Sequence, residues 1–131
     1  MAQRLLLLGL EEETASLLSA VIPAEKYEVQ IVPGAAVAQW LGKLDMLRPS
    51  VICIPAEPAA AAPLMQAVRM RLAHVPMVLV SKNPNPIEWK MALDEGAFDY
   101  FGPPFLSGQV DWILNSASSS LPMGSYLTAQ A

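Results

Sequence analysis

The sequence of 131 residues holds one cysteine, one histidine and few charged side chains. The single cysteine, Cys53, excludes an intrachain disulfide, which suits the reducing conditions of a cytoplasm. The single histidine, His74, has no cysteine or histidine at the spacing that zinc sites need. No glycine-rich phosphate loop follows the first apolar run, and no apolar run is long enough to span a bilayer. We therefore expect no metal, no cofactor and no membrane contact.

Nucleophiles with a matching base are also missing. Ser16, Ser81 and Ser107 have no nearby histidine, so nothing indicates an acyl-transfer triad. Eight Lys and Arg residues stand against 12 Asp and Glu residues, a net charge of −4. A uniformly acidic domain repels phosphate backbones, which argues against direct nucleic-acid binding. The composition therefore indicates neither an enzyme nor a nucleic-acid-binding protein.

The hydrophobic fraction is 53%, whereas charged residues make up only 15%. Such a chain easily fills the core of one domain and leaves apolar surface for a protein partner. We expect one domain over residues 1–117, followed by a polar C-terminal tail or linker stump over residues 118–131.

Short apolar segments predict five strands. Continuous apolar runs are typical of strands buried on both faces of a parallel sheet, whereas the second segment alternates, with Tyr27, Val29 and Ile31 on one face. That alternation indicates a half-exposed strand at a sheet edge. The predicted strands are Leu5–Leu8, Tyr27–Val32, Val51–Ile54, Pro76–Val80 and Tyr100–Phe101.

Helical periodicity predicts five helices between and after these strands. Asn85, Pro86 and Glu88 form the pattern of a capping box, and Ser107 is the expected cap of the last helix. Residues 55–63 are expected to be a loop. The predicted helices are Glu11–Ile22, Ala35–Leu47, Leu64–Leu72, Asn85–Glu95 and a last one from Ser107.

Strands that alternate with helices predict an α/β fold, a doubly wound parallel sheet with helices on both faces. The alternating second strand fits an edge, and the apolar first, third and fourth strands fit the middle. The order 2-1-3-4-5 satisfies both demands. The expected architecture is a flavodoxin-like three-layer sandwich.

Residues 96–105 read Gly-Ala-Phe-Asp-Tyr-Phe-Gly-Pro-Pro-Phe. This run resembles the Gly-Ala-x-Asp-Tyr-x-x-Lys-Pro-Phe signature of the receiver domains of bacterial two-component response regulators. Residues 49–55 and 76–81 resemble the runs around the third and fourth receiver strands, and the likeness covers roughly residues 4–117. Pro104 matches the family's proline after the lysine, and we predict a cis peptide bond between Pro103 and Pro104.

The resemblance implies a phosphorylation site at the carboxyl ends of the strands. In that family an aspartate after strand three accepts the phosphoryl group, two acidic residues after strand one help to hold Mg²⁺, and a lysine after strand five offsets the charge. Those positions hold Pro55, Gly9 with Leu10, and Pro103. We therefore expect no aspartyl phosphorylation at this site, no bound metal and no catalytic residue.

Two positions of the family's conformational switch, Ser81 and Tyr100, are retained. Either they act as that switch, or Ser81 bonds local backbone and Tyr100 packs at the sheet edge; the absence of a phosphate site favours the second interpretation. Glu57, two residues beyond Pro55, is either an exposed loop acid or an imitation of a phosphorylated aspartate.

The resemblance implies a signal-transduction module of a phosphorelay that acts by protein–protein contact. We expect a homodimer, or docking on a partner or output domain, through the fourth helix, the fifth strand and the fifth helix. Trp89, Phe101 and Trp112 are the candidate interface residues, unless the tryptophans are partly buried between helix and sheet. The alternative is a small-ligand sensor, with a less polar crevice lined by Gly9, Leu10, Pro55, Ser81 and Pro103.

Overall fold

The computed structural model describes residues 2–119, which contain one five-stranded parallel sheet. Its strand order, β2-β1-β3-β4-β5, confirms the prediction. The expected tail lies outside the described residues from residue 120 onward. No helix within residues 2–119 is long and apolar enough to cross a membrane. The strands are β1 (Gln3–Leu8), β2 (Tyr27–Val32), β3 (Val51–Pro55), β4 (Met77–Val80) and β5 (Asp99–Phe101).

The three middle strands are buried on both faces. All side chains of 5–8 in β1 and 51–54 in β3 are at most 1% exposed, which explains their unbroken apolar sequence. β3 pairs in parallel with β1 on one side and with β4 on the other. The carboxyl ends of β1, β3 and β4 therefore meet at one edge of the sheet.

Six helices cover the two faces within the described residues. One apolar cluster joins the sheet to α2 through α5, and a second joins its other face to α1 and α6. Helices α5 and α6 lie on opposite faces of the edge strand β5, since α5 packs in the first cluster with Tyr100 and α6 in the second with Phe101. The helices are α1 (Glu12–Ala20), α2 (Val37–Leu41), α3 (Leu44–Leu47), α4 (Pro58–Arg71), α5 (Pro86–Asp94) and α6 (Ser107–Ser118).

The predicted second helix, Ala35–Leu47, is wrong as a single element. A 3₁₀ turn over Gly34–Ala36 leads into α2, and α3 follows after a break. The break falls at Gly42 and Lys43, since glycine is a weak helix former and Lys43 leaves the helical region with φ −123° and ψ 13°. The Arg71 guanidinium donates to the Gly42 carbonyl at 3.1 Å, which satisfies the end of α2.

The predicted loop over residues 55–63 is also wrong beyond Glu57. Helix α4 begins at Pro58 and contains Pro63 in its interior. Proline at the first helical position has no hydrogen bond to lose, and the alanines that follow are the strongest helix formers. Pro63, which argued for a loop in the sequence, is tolerated because tertiary packing of Ala61, Met65 and Val68 holds the helix.

Smaller corrections concern exposure and caps. Ile31, expected on the same face as Tyr27, is exposed, and Val32 is the buried residue at the end of β2. Ser107 does not cap α6, because Leu106 occupies the cap position and no side chain bonds the helix end.

Replacing Pro63 with alanine is expected to raise the free energy of unfolding by about 2 kcal/mol. The change restores a helical hydrogen bond and removes a ring clash, and the greater freedom of the unfolded chain offsets part of the gain. Urea unfolding followed by circular dichroism measures the effect. Pro58→Ala is the matched control and should be close to neutral; equal effects of the two substitutions would contradict the interpretation.

Candidate functional site

A cleft of about 470 Å³ opens at the carboxyl ends of β1, β3 and β4. Four of the five residues expected in the crevice line it: Gly9, Leu10, Pro55 and Ser81. Pro103 is exposed and does not line the cleft, because the chain turns away from the sheet after β5.

The end of β1 offers no oxygen ligand. Gly9 has a positive φ of 79°, which favours glycine, and its N–H donates to the Val32 carbonyl at 2.8 Å. A Cβ on Gly9 would lie 3.4 Å from both Leu64 and Val37, so apolar side chains surround this position. The Leu10 side chain is buried in the core on the α1 and α6 side.

Pro55 ends β3 at the position where the resemblance implies the phosphoacceptor. Its ring carries no nucleophile, and the neighbouring Ala56 N–H donates to the Val80 carbonyl at 2.9 Å. Within residues 2–119 no group of three or more carboxylate, histidine or cysteine side chains is arranged to hold a metal ion. At Pro55 this edge of the sheet therefore offers an apolar ring and paired backbone groups.

Charged side chains occupy the rim of the cleft instead. The Lys82 ammonium donates to the Glu11 carboxylate, an ion pair that joins the end of β4 to the start of α1. The hydrogen bond to Glu11, and then its charge, raise the pKa of Lys82, and Glu57 adds a smaller effect in the same direction. Since both side chains are 62% exposed, the pair contributes little to stability.

Three helices begin at this cleft, and glutamates accompany each N-terminus. Glu12 and Glu13 lie in the first turn of α1, Glu57 precedes α4, and Glu88 lies in the first turn of α5. Carboxylates at these places complement the helix dipoles that would otherwise attract a phosphate. Glutamates therefore line the cleft beside the apolar Gly9, Leu10 and Pro55, and the small-ligand alternative is not favoured.

Ser81 makes local backbone contacts. Its side chain is buried, its N–H donates to the Phe101 carbonyl at 2.8 Å, and its hydroxyl accepts from the Asn83 N–H at 3.1 Å. This geometry holds the turn after β4 against β5.

Tyr100 connects β5 to the start of α5. Its hydroxyl donates to Glu88 Oε1 at 2.6 Å and accepts from the Asn85 N–H at 3.1 Å. Asn85 caps α5 as predicted, since its side chain accepts from the Glu88 N–H at 2.8 Å. The predicted capping box is only half formed, because the Glu88 carboxylate bonds Tyr100 rather than the Asn85 N–H. Burial, and then the hydrogen bond to Glu88, raise the pKa of Tyr100.

The loop between β4 and α5 packs tightly onto the end of β5. A Cβ on Gly102 would overlap both the Pro84 ring and the Ser81 carbonyl, so only glycine fits there. The Pro103–Pro104 peptide bond is cis, as predicted. The contacts of Tyr100 and Gly102 together hold this loop in place.

The candidate interface residues divide into two groups. Trp89 on α5 and Trp112 on α6 are 48% and 67% exposed, so they are not buried between helix and sheet. Phe101 is buried and meets Phe105 edge to face with ring centres 5.7 Å apart. The expectation of Phe101 as a surface anchor is therefore wrong, because its side chain points into the core on the α6 side.

No protein-family model matches the sequence, and no curated protein matches it. Solved structures do match. NtrX from Brucella abortus in complex with ADP has a TM-score of 0.77 at 19% identity over 99% of this chain. The receiver domain of the sensor histidine kinase PA1611 from Pseudomonas aeruginosa, with magnesium in its active-site cleft, has a TM-score of 0.74 at 20% identity and covers 92% of this chain and 100% of that one.

The fold is that of a receiver domain. The beryllofluoride-activated receiver domain dimer of NtrC4 also matches, with a TM-score of 0.72 at 17% identity over 87% of this chain and 94% of that one. This chain spans 28% of NtrX. At these identities the likeness establishes the receiver fold, and the residues of the cleft carry any argument about activity.

Sequence reasoning missed the ion pair of Lys82 and Glu11 and the bond between Tyr100 and Glu88. Lys82 is the second residue after β4 and Glu11 stands one residue beyond Leu10, but nothing in their spacing indicates that they meet. The Asn-x-x-Glu pattern before α5 did locate Glu88, although it predicted a different hydrogen-bond donor for its carboxylate.

Replacing Tyr100 with phenylalanine is expected to lower the free energy of unfolding by about 1–2 kcal/mol, because Glu88 and the Asn85 N–H lose a partner. The pKa of Tyr100 is raised above its ordinary value of 10.0. The unfolded chain therefore releases this proton first, and the stabilisation, complete below pH 10, falls as the pH rises further. Tyr100→Phe should reduce that alkaline loss.

Urea unfolding at neutral pH and above pH 10 measures both effects. Tyr27→Phe is the control at neutral pH, since Tyr27 is also buried but begins β2, away from α5. Because burial raises the pKa of Tyr27 as well, the measurement above pH 10 compares Tyr100→Phe with the parent protein alone. A Tyr100→Phe protein as stable as the parent at both pH values would contradict the role of the hydroxyl.

Proposed function

We propose that this chain is a receiver-like signalling module of a bacterial two-component system, located in the cytoplasm, that acts by protein–protein contact without aspartyl phosphorylation and without enzymatic activity. Pro55 at the end of β3 carries the proposal, because a phosphorelay through this cleft needs a carboxylate nucleophile there. The receiver fold supports the signalling class, and the lost acidic pair supports the loss of phosphorylation.

Electrostatics at the cleft support the same proposal. A phosphodonor is an anion, and the cleft presents Glu11, Glu57 and Glu88 to it. Lys82, the cation at the rim, is already paired with Glu11. The negative charge of the cleft repels the phosphodonor, and Pro55 provides no acceptor carboxylate. Both effects work against phosphorylation.

Incubation with acetyl phosphate and Mg²⁺ is expected to leave the intact mass of the protein unchanged. A phosphorylatable receiver domain treated in parallel serves as the positive control. An acid-stable, base-labile adduct on any carboxylate of the cleft would overturn the proposal, and peptide mapping would locate it.

For the contact surface we propose the face formed by α5, β5 and α6, with a second copy of the chain as partner. Exposed apolar side chains gather on its two helices and their ends, which is unusual for a monomer surface. These side chains are Trp89, Leu93, Phe98, Leu106 and Trp112.

Three of the four charged side chains on these two helices are paired within the chain, and the fourth, Glu88, lies on the other flank of α5. Lys90 pairs with Asp94 at 2.8 Å, and Asp111 of α6 pairs with Lys26 at 2.9 Å. Two copies of a chain with net charge −4 repel each other. Internal pairing reduces that repulsion at this face, so it suits a symmetric contact better than the acidic cleft does.

Replacing Trp89 or Trp112 with glutamate is expected to weaken dimerisation at least tenfold, because buried tryptophans dominate interface energies and a buried carboxylate is costly. Sedimentation equilibrium gives the dissociation constant. Leu17→Glu is the control, since Leu17 is 54% exposed on α1, away from this face. A monomeric parent protein, or equal weakening by Leu17→Glu, would refute the proposed interface.

A further inference from the structure

A second apolar feature lies on the other flank of α5. Between α4 and α5 a groove of about 90 Å³ reaches down to the sheet. Its floor is formed by Leu79 of β4 and Met65 of α4, each 1% exposed. Alanines of both helices form the walls, and the exposed Met91 forms one lip.

The groove is open because the first turns of α4 carry only short side chains. Residues 58–63 are proline and alanine, and none of them reaches across to α5. At the opposite end the Arg69 guanidinium donates to the Glu95 carbonyl and closes the gap. The opening is therefore confined to the end of the helix pair near the cleft.

An aliphatic side chain entering this groove would be stabilised. The walls lack partner atoms on their open side, so they forgo dispersion contacts that a filled core would make. The volume corresponds to about three water molecules at about 30 Å³ each, a size suited to one aliphatic side chain. Water released from the exposed Met91 adds the hydrophobic contribution.

The rim of the groove is acidic. Glu88 and Glu95 line it, and Glu57 stands at the start of α4 beside it. The ion pairs found within residues 2–119 use other acids: Glu11, Asp45, Asp94 and Asp111. The three glutamates therefore present negative charge that no lysine or arginine of the described chain pairs with.

We propose that the α4–α5 groove docks a basic segment of another protein, which inserts one aliphatic side chain between lysine or arginine residues. Charge complementarity selects this occupant, whereas a second copy of this acidic chain would bring further negative charge. The site is separate from the proposed dimer face. At 3.6 residues per turn, Glu88, Met91 and Glu95 lie on one flank of α5, and Trp89 and Leu93 lie on the other.

A short, fluorescently labelled amphipathic helical peptide of leucine and lysine serves as the probe. Fluorescence anisotropy at low salt is expected to show saturable binding to the full chain, and none for a leucine–glutamate peptide of the same pattern. Ala62→Trp fills the groove without a change of charge and should weaken binding about tenfold or more. The matched control is Ala59→Trp, an exposed alanine of α4 outside the groove, which should bind like the parent.

Charge is tested separately. Glu95→Gln should weaken binding about threefold, as expected for a rim charge, and Glu12→Gln removes the same charge from α1 with little effect. Circular dichroism confirms that each variant is folded. Equal binding by the Ala62→Trp and Ala59→Trp proteins, or by both peptides, would overturn the proposal. Self-association lost in Ala62→Trp but kept in Ala59→Trp would assign the groove to a second copy instead.

Discussion

Burial of β1, β3 and β4 on both faces is the constraint on which the rest of the structure depends. Strands without an exposed face need helices on each side, so each strand before β5 is followed by a crossover that returns over the sheet. The crossovers bring the carboxyl ends of the strands, and the N-termini of α1, α4 and α5, to one edge. The cleft is a consequence of that packing and exists whatever side chains line it.

This independence explains how a receiver fold accommodates Gly9, Leu10 and Pro55 at the positions where the resemblance implies carboxylates. Gly9 and Pro55 lie at the ends of buried strands, where their backbone contacts to Val32 and to the neighbouring strand are unaffected by the missing carboxylates. Leu10 adds apolar area to the core, whereas an unpaired carboxylate at that buried place would be costly. In this chain Gly9, Leu10 and Pro55 contribute backbone and apolar contacts at the edge of the sheet.

Helix α5 is the element through which the proposed contacts would operate. Ala92 anchors it in the core, and its two flanks carry the proposed dimer face and the α4–α5 groove. Tyr100 fixes its N-terminus to β5 by two hydrogen bonds, and Pro84 packs on Gly102 beside it. A helix held in this way presents both flanks with little ordering cost on binding.

The sequence by itself determined the sheet and its strand order, because apolar runs and the alternation in β2 are local properties. Only the tertiary structure decided the path of residues 34–47 and 58–63, since Arg71 caps α2 from a distant helix and packing holds Pro63 inside α4. It also decided the arrangement of the candidate site. Phe101 is buried and Pro103 lies outside the cleft, contrary to expectation. Lys82 contacts Glu11, and Tyr100 contacts Glu88. Those pairs depend on which residues of distant segments face one another, and long-range packing, not local periodicity, sets that arrangement.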